Sequence, residues 1–165
     1  MRNRWYFADI GTVLSKRPNA IAIIKGTQEG SAITGRVMFH QMRDGVLVRA
    51  EIVGLPIGDD ACDSPIFAFH IHNDKNCRNA TGENAKGHFD PDGCSHPYHA
   101  GDLPPLFGAD GKAFSMFLTK RFKVKEVVGK TVIIHDGIDD FTTQPSGNAG
   151  EKIACGQIMP LMRAN

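Results

Sequence analysis

A marked excess of charge of either sign is missing from this chain. Its 19 lysines and arginines are balanced by 18 aspartates and glutamates, which leaves a formal net charge of +1 with the histidines neutral. No global basic field exists to draw in nucleic acid or an anionic membrane surface, so neither is an expected partner. Long hydrophobic runs are missing as well. The most apolar stretch, residues 66–71, falls far short of the roughly 18 consecutive apolar residues that a membrane-spanning helix needs. Near the start, Arg2 and Arg4 are followed by Asp9, Gly11, Thr12, Ser15 and Lys16, which interrupt any apolar segment of secretory-signal length. The sequence as it stands therefore reads as cytoplasmic, or as extracellular or periplasmic if a leader has been trimmed. The four cysteines, Cys62, Cys77, Cys94 and Cys155, contain no C-x-x-C pair. That argues against zinc-knuckle and redox motifs and leaves three complete pairings open. No window of twelve residues shows helical spacing of its apolar positions.

What is present is a folded chain of one-domain length: 165 residues, 41% hydrophobic and 22% charged. Short apolar or alternating runs at residues 20–25, 33–39, 46–53, 66–72, 112–118, 131–135 and 152–158 read as strands. Gly, Asp and Asn punctuate nearly every gap, as in Asp44-Gly45 and Asp110-Gly111. An antiparallel sandwich or barrel follows. Residues 1–19, with Trp5, Tyr6 and Phe7 among basic residues, fit an arm, a short helix or a partner contact, and residues 20–165 form the domain. Two gaps, 73–111 and 136–151, exceed what hairpins require and are expected to carry function.

Six of the seven histidines fall between positions 70 and 135. His70 and His72 stand two apart in a strand-like run, so both imidazoles project from one face about 7 Å apart and are able to converge on one metal. His88, His96, His99 and Asp102 lie within fifteen residues of the first long gap. Three imidazoles and a carboxylate suit a closed tetrahedral zinc site. His135 ends another strand and is placed to join His70 and His72. An all-imidazole site of this kind suits copper in both oxidation states. His40 ends a strand far from the cluster and reads as an ordinary surface or core histidine. The basic run Lys120, Arg121, Lys123, Lys125 and Lys130 reads by default as a solvated face, with anion steering as the alternative.

The words Phe69-His70-Ile71-His72, Gly87-His88-Phe89-Asp90-Pro91, His99-Ala100-Gly101-Asp102-Leu103-Pro104, His135 with Asp139-Asp140, and Gly147-Asn148-Ala149-Gly150 leading into Ala154-Cys155-Gly156 resemble the copper/zinc superoxide dismutase family, in its bacterial branch. The resemblance runs from about residue 20 to residue 158. It implies an immunoglobulin-like Greek-key β-sandwich or flattened barrel of about eight strands with two long functional loops. It further implies copper ligands at His70, His72, His88 and His135, and zinc ligands at His88, His96, His99 and Asp102. Asp139 matches the carboxylate that clips His70 to His96, and Cys77 and Cys155 match the family disulfide. The implied activity converts two superoxide anions to dioxygen and hydrogen peroxide, with His88 as ligand and proton carrier. A homodimer is compatible with this family, and a monomer nearly as much so.

Three features depart from the pattern. Lys152 stands where the family usually has an arginine, keeping the charge without the planar fork that grips an anion, so weakened catalysis is expected. His96 and His99 are unusually close, and Cys94 is near enough to compete for zinc as a thiolate. Cys62 and Cys94 are additional and are expected to form a second disulfide tying the loop to the start of the His70 strand. Two rival readings are a non-catalytic copper- or zinc-binding module of the same fold, and a zinc hydrolase, which requires an open zinc position and a nearby general base.

Overall fold

The strands form where apolar alternation lets one face meet a core and the other meet water or a loop. A computed structural model describes residues 10–59, 65–77 and 86–161. In these, β1 (Ala20–Gly26), β2 (Thr34–Met42), β3 (Gly45–Val53), β4 (Ile66–His72), β6 (Lys112–Thr119), β7 (Thr131–His135) and β8 (Lys152–Pro160) match the seven expected runs to within a few residues. An eighth strand, β5 (Asp102–Phe107), lies inside the gap read as loop. Its Pro104-Pro105 pair is unusual in a strand, because proline cannot donate to a ladder. The structure reconciles the two: β5 is terminal in the sheet, and its register against β4 shifts between Phe67↔Leu106 and Phe69↔Leu103, so the prolines fall at a bulge. Two short helices, α1 (Ile10–Leu14) and α2 (Val124–Val127), complete the described elements. Part of the 1–19 segment is thus helical, and five residues are too few for apolar periodicity to show.

The strand order is β5-β4-β7-β8-β1-β2-β3-β6, with every neighbouring pair antiparallel. The end strands β5 and β6 approach each other without a ladder, which gives a nearly closed barrel. Its interior is filled by Ala22, Ile24, Val37, Phe39, Val48, Ile52, Phe67, Phe69, Leu106, Val132, Ile134 and Ile158.

Parity positions the site. On β4 the core takes Phe67, Phe69 and Ile71, so Ala68, His70 and His72 face outward, yet all three are buried. On β7 the core takes Val132 and Ile134, and Ile133 and His135 face outward, also buried. The roof over this wall is made by the chain from 86 to 101 and by the chain from 136 to 151. Residues 87–89 run beside the end of β4, with His88 bridged to His72, and Phe89 N donates to Ile71 O at 2.7 Å. Gly101 packs against the same stretch, where a Cβ would sit 2.9 Å from Phe89 N and collide with Ile71 O. A disulfide between Cys77 and Cys155 ties the chain leaving β4 to β8 across 78 residues of sequence. The expected Cys62–Cys94 bridge is not formed: Cys94 is a free, exposed thiol, and Cys62 lies outside the described residues.

Candidate metal centre

Two groups of donors meet at one shared ring. In the first, one nitrogen each from His70, His72, His88 and His135 lie within 4.8 Å of one another; in the second, donors from His88, His96, His99 and Asp102 do the same, and every one of these residues is buried. All seven side chains are those expected from the sequence. The ladder explains the adjacency, since His70 stands opposite Asp102 in the β4–β5 register.

Each imidazole of the first group is anchored by its far nitrogen. His70 Nε2 lies 2.8 Å from Asp139 Oδ2, His72 Nδ1 donates to Lys86 O at 2.9 Å, and His135 Nδ1 donates to Gly150 O at 3.1 Å. The nitrogens that face each other, His70 Nδ1, His72 Nε2, His88 Nε2 and His135 Nε2, are buried and have no hydrogen-bond partner among the described residues. Four lone pairs turned inward are costly to desolvate unless a cation receives them. Burial, helped by the neighbouring imidazoles, holds His72 down to about 2 and works with the same neighbours to hold His88 and His135 at about 4. Near neutral pH these three rings are therefore neutral, as ligation requires.

The second group gathers on the turn from His96 to Asp102. His88 Nδ1 lies 2.6 Å from Asp102 Oδ1, His96 Nδ1 is 3.1 Å from Asp102 Oδ2, and His99 Nδ1 is 3.3 Å from Asp102 Oδ1 and 3.4 Å from His88 Nδ1. Burial opposes the Asp102 carboxylate, but the His88 hydrogen bond and the surrounding imidazoles hold it below its ordinary range. Asp139 joins the two groups, its Oδ1 lying 2.8 Å from His96 Nε2 while Oδ2 serves His70. Burial opposes its charge too, yet hydrogen bonds from His70, Phe141 N and His96 hold it well below the ordinary carboxylate range. Gly147 lies over this clip with φ +70°, and a Cβ there would collide with Asp139 and stand 2.6 Å from His96 Nε2.

The donor sets themselves discriminate. Four nitrogens suit copper in either oxidation state, and three nitrogens with one carboxylate suit tetrahedral zinc. The residues fit both ions. Lys152 is half-buried and stands directly across the β7–β8 ladder from His135, where burial lowers its pKa against the opposing pull of Asp74 and Glu151. His40 is buried and belongs to neither group.

Some supporting residues had no signal in the sequence. The Gln144 side chain accepts from His96 N at 3.0 Å and donates to His96 O at 2.7 Å, gripping both ends of one residue. Asp74 Oδ2 accepts from Lys86 N at 3.0 Å and so fixes the carbonyl that orients His72. Asn73 Nδ2 donates to His88 O at 3.1 Å, and Lys130 Nζ donates to Asn73 Oδ1 at 2.9 Å while lying 4.4 Å above the Phe89 ring. Most of these contacts end on backbone atoms, which any polar side chain of the right length could reach.

Residues 33–158 match the family model described as copper/zinc superoxide dismutase. The chain is 34% identical over 145 residues to Superoxide dismutase [Cu-Zn] 2 of Aquifex aeolicus, covering 79% of this chain and 81% of the relative. It is 37% identical over 132 residues to Superoxide dismutase [Cu-Zn] of Legionella pneumophila, covering 75% and 76%. The corresponding protein of Deinococcus radiodurans is 35% identical over 146 residues, covering 75% and 76%. With an imidazole shared between a nitrogen-only set and a mixed one on the outer wall of a β-barrel, and with these matches over most of its length, the chain belongs to the copper/zinc superoxide dismutase family.

Proposed function

We infer that the protein is a superoxide dismutase that uses copper and zinc. The observation that carries this reading is His88, whose Nε2 faces the first donor group and whose Nδ1 faces the second. We assign copper to His70, His72, His88 and His135, and zinc to His88, His96, His99 and Asp102. When bound, copper supplies a one-electron couple, by which one superoxide is oxidised to dioxygen and a second is reduced, with two protons, to hydrogen peroxide.

The chain's own residues supply the rest. His88 is the proton carrier: Nε2 takes up a proton and passes it to the departing peroxide, while Nδ1, turned toward the second donor group with Asp102, would keep the ring oriented by holding zinc. His70, His72 and His135 stay fixed through Asp139, Lys86 O and Gly150 O, so little rearrangement is needed in a cycle. Lys152 attracts the small anion as a point charge beside His135. A lysine in that position gives weaker orientation than a guanidinium fork, and turnover below that of an arginine variant is the expected result.

Superoxide is the substrate. Residues 20–165 are assigned as the catalytic domain, with 1–19 as an appended arm. A homodimer is the assembly we assign, supported by exposed Phe114, Met116 and Leu118 along one face of β6. Among the described residues no helix is long and apolar enough to cross a membrane. The Cys77–Cys155 bridge favours an oxidising compartment, extracellular or periplasmic.

Reconstitution with copper and zinc, a count of both metals per chain, and an assay of superoxide removal beside a His70→Ala, His135→Ala variant test the reading. One copper and one zinc with activity lost in the variant are expected. Full metal loading with no activity above free copper would overturn it.

A further inference from the structure

Arg121 does not behave as one more charge on a solvated basic face. It follows β6 directly, its own N–H donating to Thr119 Oγ1 at 3.2 Å. Its Nη1 donates to three backbone carbonyls: Pro97 O at 3.0 Å, His99 O at 3.2 Å and Asp102 O at 3.0 Å. One Nη1 carries two protons, so three acceptors share them. Three carbonyl dipoles aimed at one point repel each other unless a cation stands between them. The guanidinium is that cation, and the carbonyls belong to the His96–Asp102 turn that carries three of the four donors of the second group.

Toward β4 the turn is tied by Gly101, whose N–H donates to Phe89 O at 2.7 Å and whose carbonyl accepts from Ile71 N at 2.9 Å, and by the pairing of Asp102 with His70. Internally it is closed by Tyr98 N to Ser95 O at 2.8 Å, Asp102 N to His99 O at 3.2 Å, and His99 N to Asp102 Oδ2 at 2.9 Å. Gln144 grips it at His96, and Arg121 gathers it at the other three points. Pro97 O fixes the chain between the two histidines, while His99 O and Asp102 O fix the residues whose side chains point toward the donor centre.

We propose that Arg121 is a positioning residue for the zinc site: by drawing together the carbonyls of Pro97, His99 and Asp102, it sets the spacing of the His96, His99 and Asp102 donors and slows zinc release. This rests on the assignment of zinc to that group. Residues that orient ligands without touching the metal typically alter affinity by about 10- to 100-fold when replaced. A lysine in place of Arg121 has three donors for three acceptors but a different reach, so it restores part of the effect.

The test compares copper- and zinc-loaded wild type with Arg121→Met, Arg121→Lys, Lys120→Met and His96→Ala. Zinc transfer to a chromogenic chelator is timed in each. The visible ligand-field spectrum is then recorded after cobalt replaces zinc. The expected result is release roughly 10-fold or more faster in Arg121→Met, partial recovery in Arg121→Lys, a shifted cobalt spectrum in Arg121→Met, and wild-type behaviour in Lys120→Met, which removes charge from the same basic run. Retention of zinc by wild type with the same rate and cobalt spectrum in Arg121→Met overturns the positioning role alone. Zinc lost from wild type as fast as from His96→Ala overturns the zinc assignment itself. If Arg121→Met does not fold, Arg121→Lys decides: an unchanged cobalt spectrum and release rate reject the role.

Discussion

The strand-borne and loop-borne donors share His88 and one wall of the barrel, but they are assembled by different means. His70, His72 and His135 sit on β4 and β7, whose ladder pairs His70 with Ile133 and His72 with Thr131. Their spacing is a property of the sheet, and the sheet exists because Phe67, Phe69, Ile71, Val132 and Ile134 fill the interior behind them. His96 and His99 instead occupy a short turn whose shape depends on side chains reaching in from elsewhere, and Asp102 stands where that turn enters β5. A site on strands inherits its geometry from packing, whereas a site on a turn must have its geometry imposed. The first should keep its form without metal, and the second should gain much of its order from metal and clamps together.

Acid is the strongest way to break that contrast, because it attacks the strand group itself. In the metal-free protein, burial places His88 and His135 near 4 and His72 near 2, against an ordinary value of 6.5. The unfolded chain therefore binds protons that the folded chain refuses. The stability these rings contribute is present above the ordinary histidine range and falls by several kcal/mol as pH drops toward 4. Denaturant titrations at successive pH values read this directly, and a flat profile would contradict the buried neutral state.

Reduction of Cys77–Cys155 comes next. Opening a loop of 78 residues removes about 4.5 kcal/mol in the chain-entropy account. A Cys77→Ser, Cys155→Ser variant should show that loss in urea. It should also loosen both donor groups, since Cys77 leads from β4 toward the shared His88.

Asp139→Ala tests the clip between the two regions. It leaves His70 and His96 without their far-nitrogen partner, and zinc affinity should fall about 10- to 100-fold, measured by competition with a chelator. Copper retention should fall less, because β4 still holds His70. Gln144→Ala is narrower. Removing two hydrogen bonds to His96 should weaken zinc by about 10-fold while leaving copper unaltered in the same competition assay. The smallest effect belongs to Lys152→Arg, expected to raise kcat/KM about two- to three-fold by adding a planar fork without changing the charge, a gain that should persist as salt is raised. Equal rates would show that the planar fork adds nothing to the point charge at this position.

The sequence made the donors legible because their chemistry is restrictive: few residue types bind metal, and His70 and His72 at a strand period must share a face. The strands were legible for a similar reason, each having an apolar face to bury. β5 was not, because Pro104 and Pro105 speak against a ladder unless the strand is known to be terminal. The clamps were not legible at all. Gln144, Asn73 and Arg121 act through carbonyls and amides that every residue possesses, so the partners became visible only when the chain was folded. Cys94 shows the opposite limit, where proximity in composition suggested a bridge that the structure does not form.

The seam between β5 and β6 has a consequence for the protein at high concentration. An unpaired strand edge offers a row of donors and acceptors to any second chain, and it is the usual starting point for strand addition and fibre growth. Here the strand on one side of the seam contains Pro104 and Pro105, neither of which has an N–H to donate, and its register on β4 is bulged at the same place. An incoming strand cannot build a continuous ladder there. The barrel can therefore stay short of full closure without becoming a template for its own polymerisation.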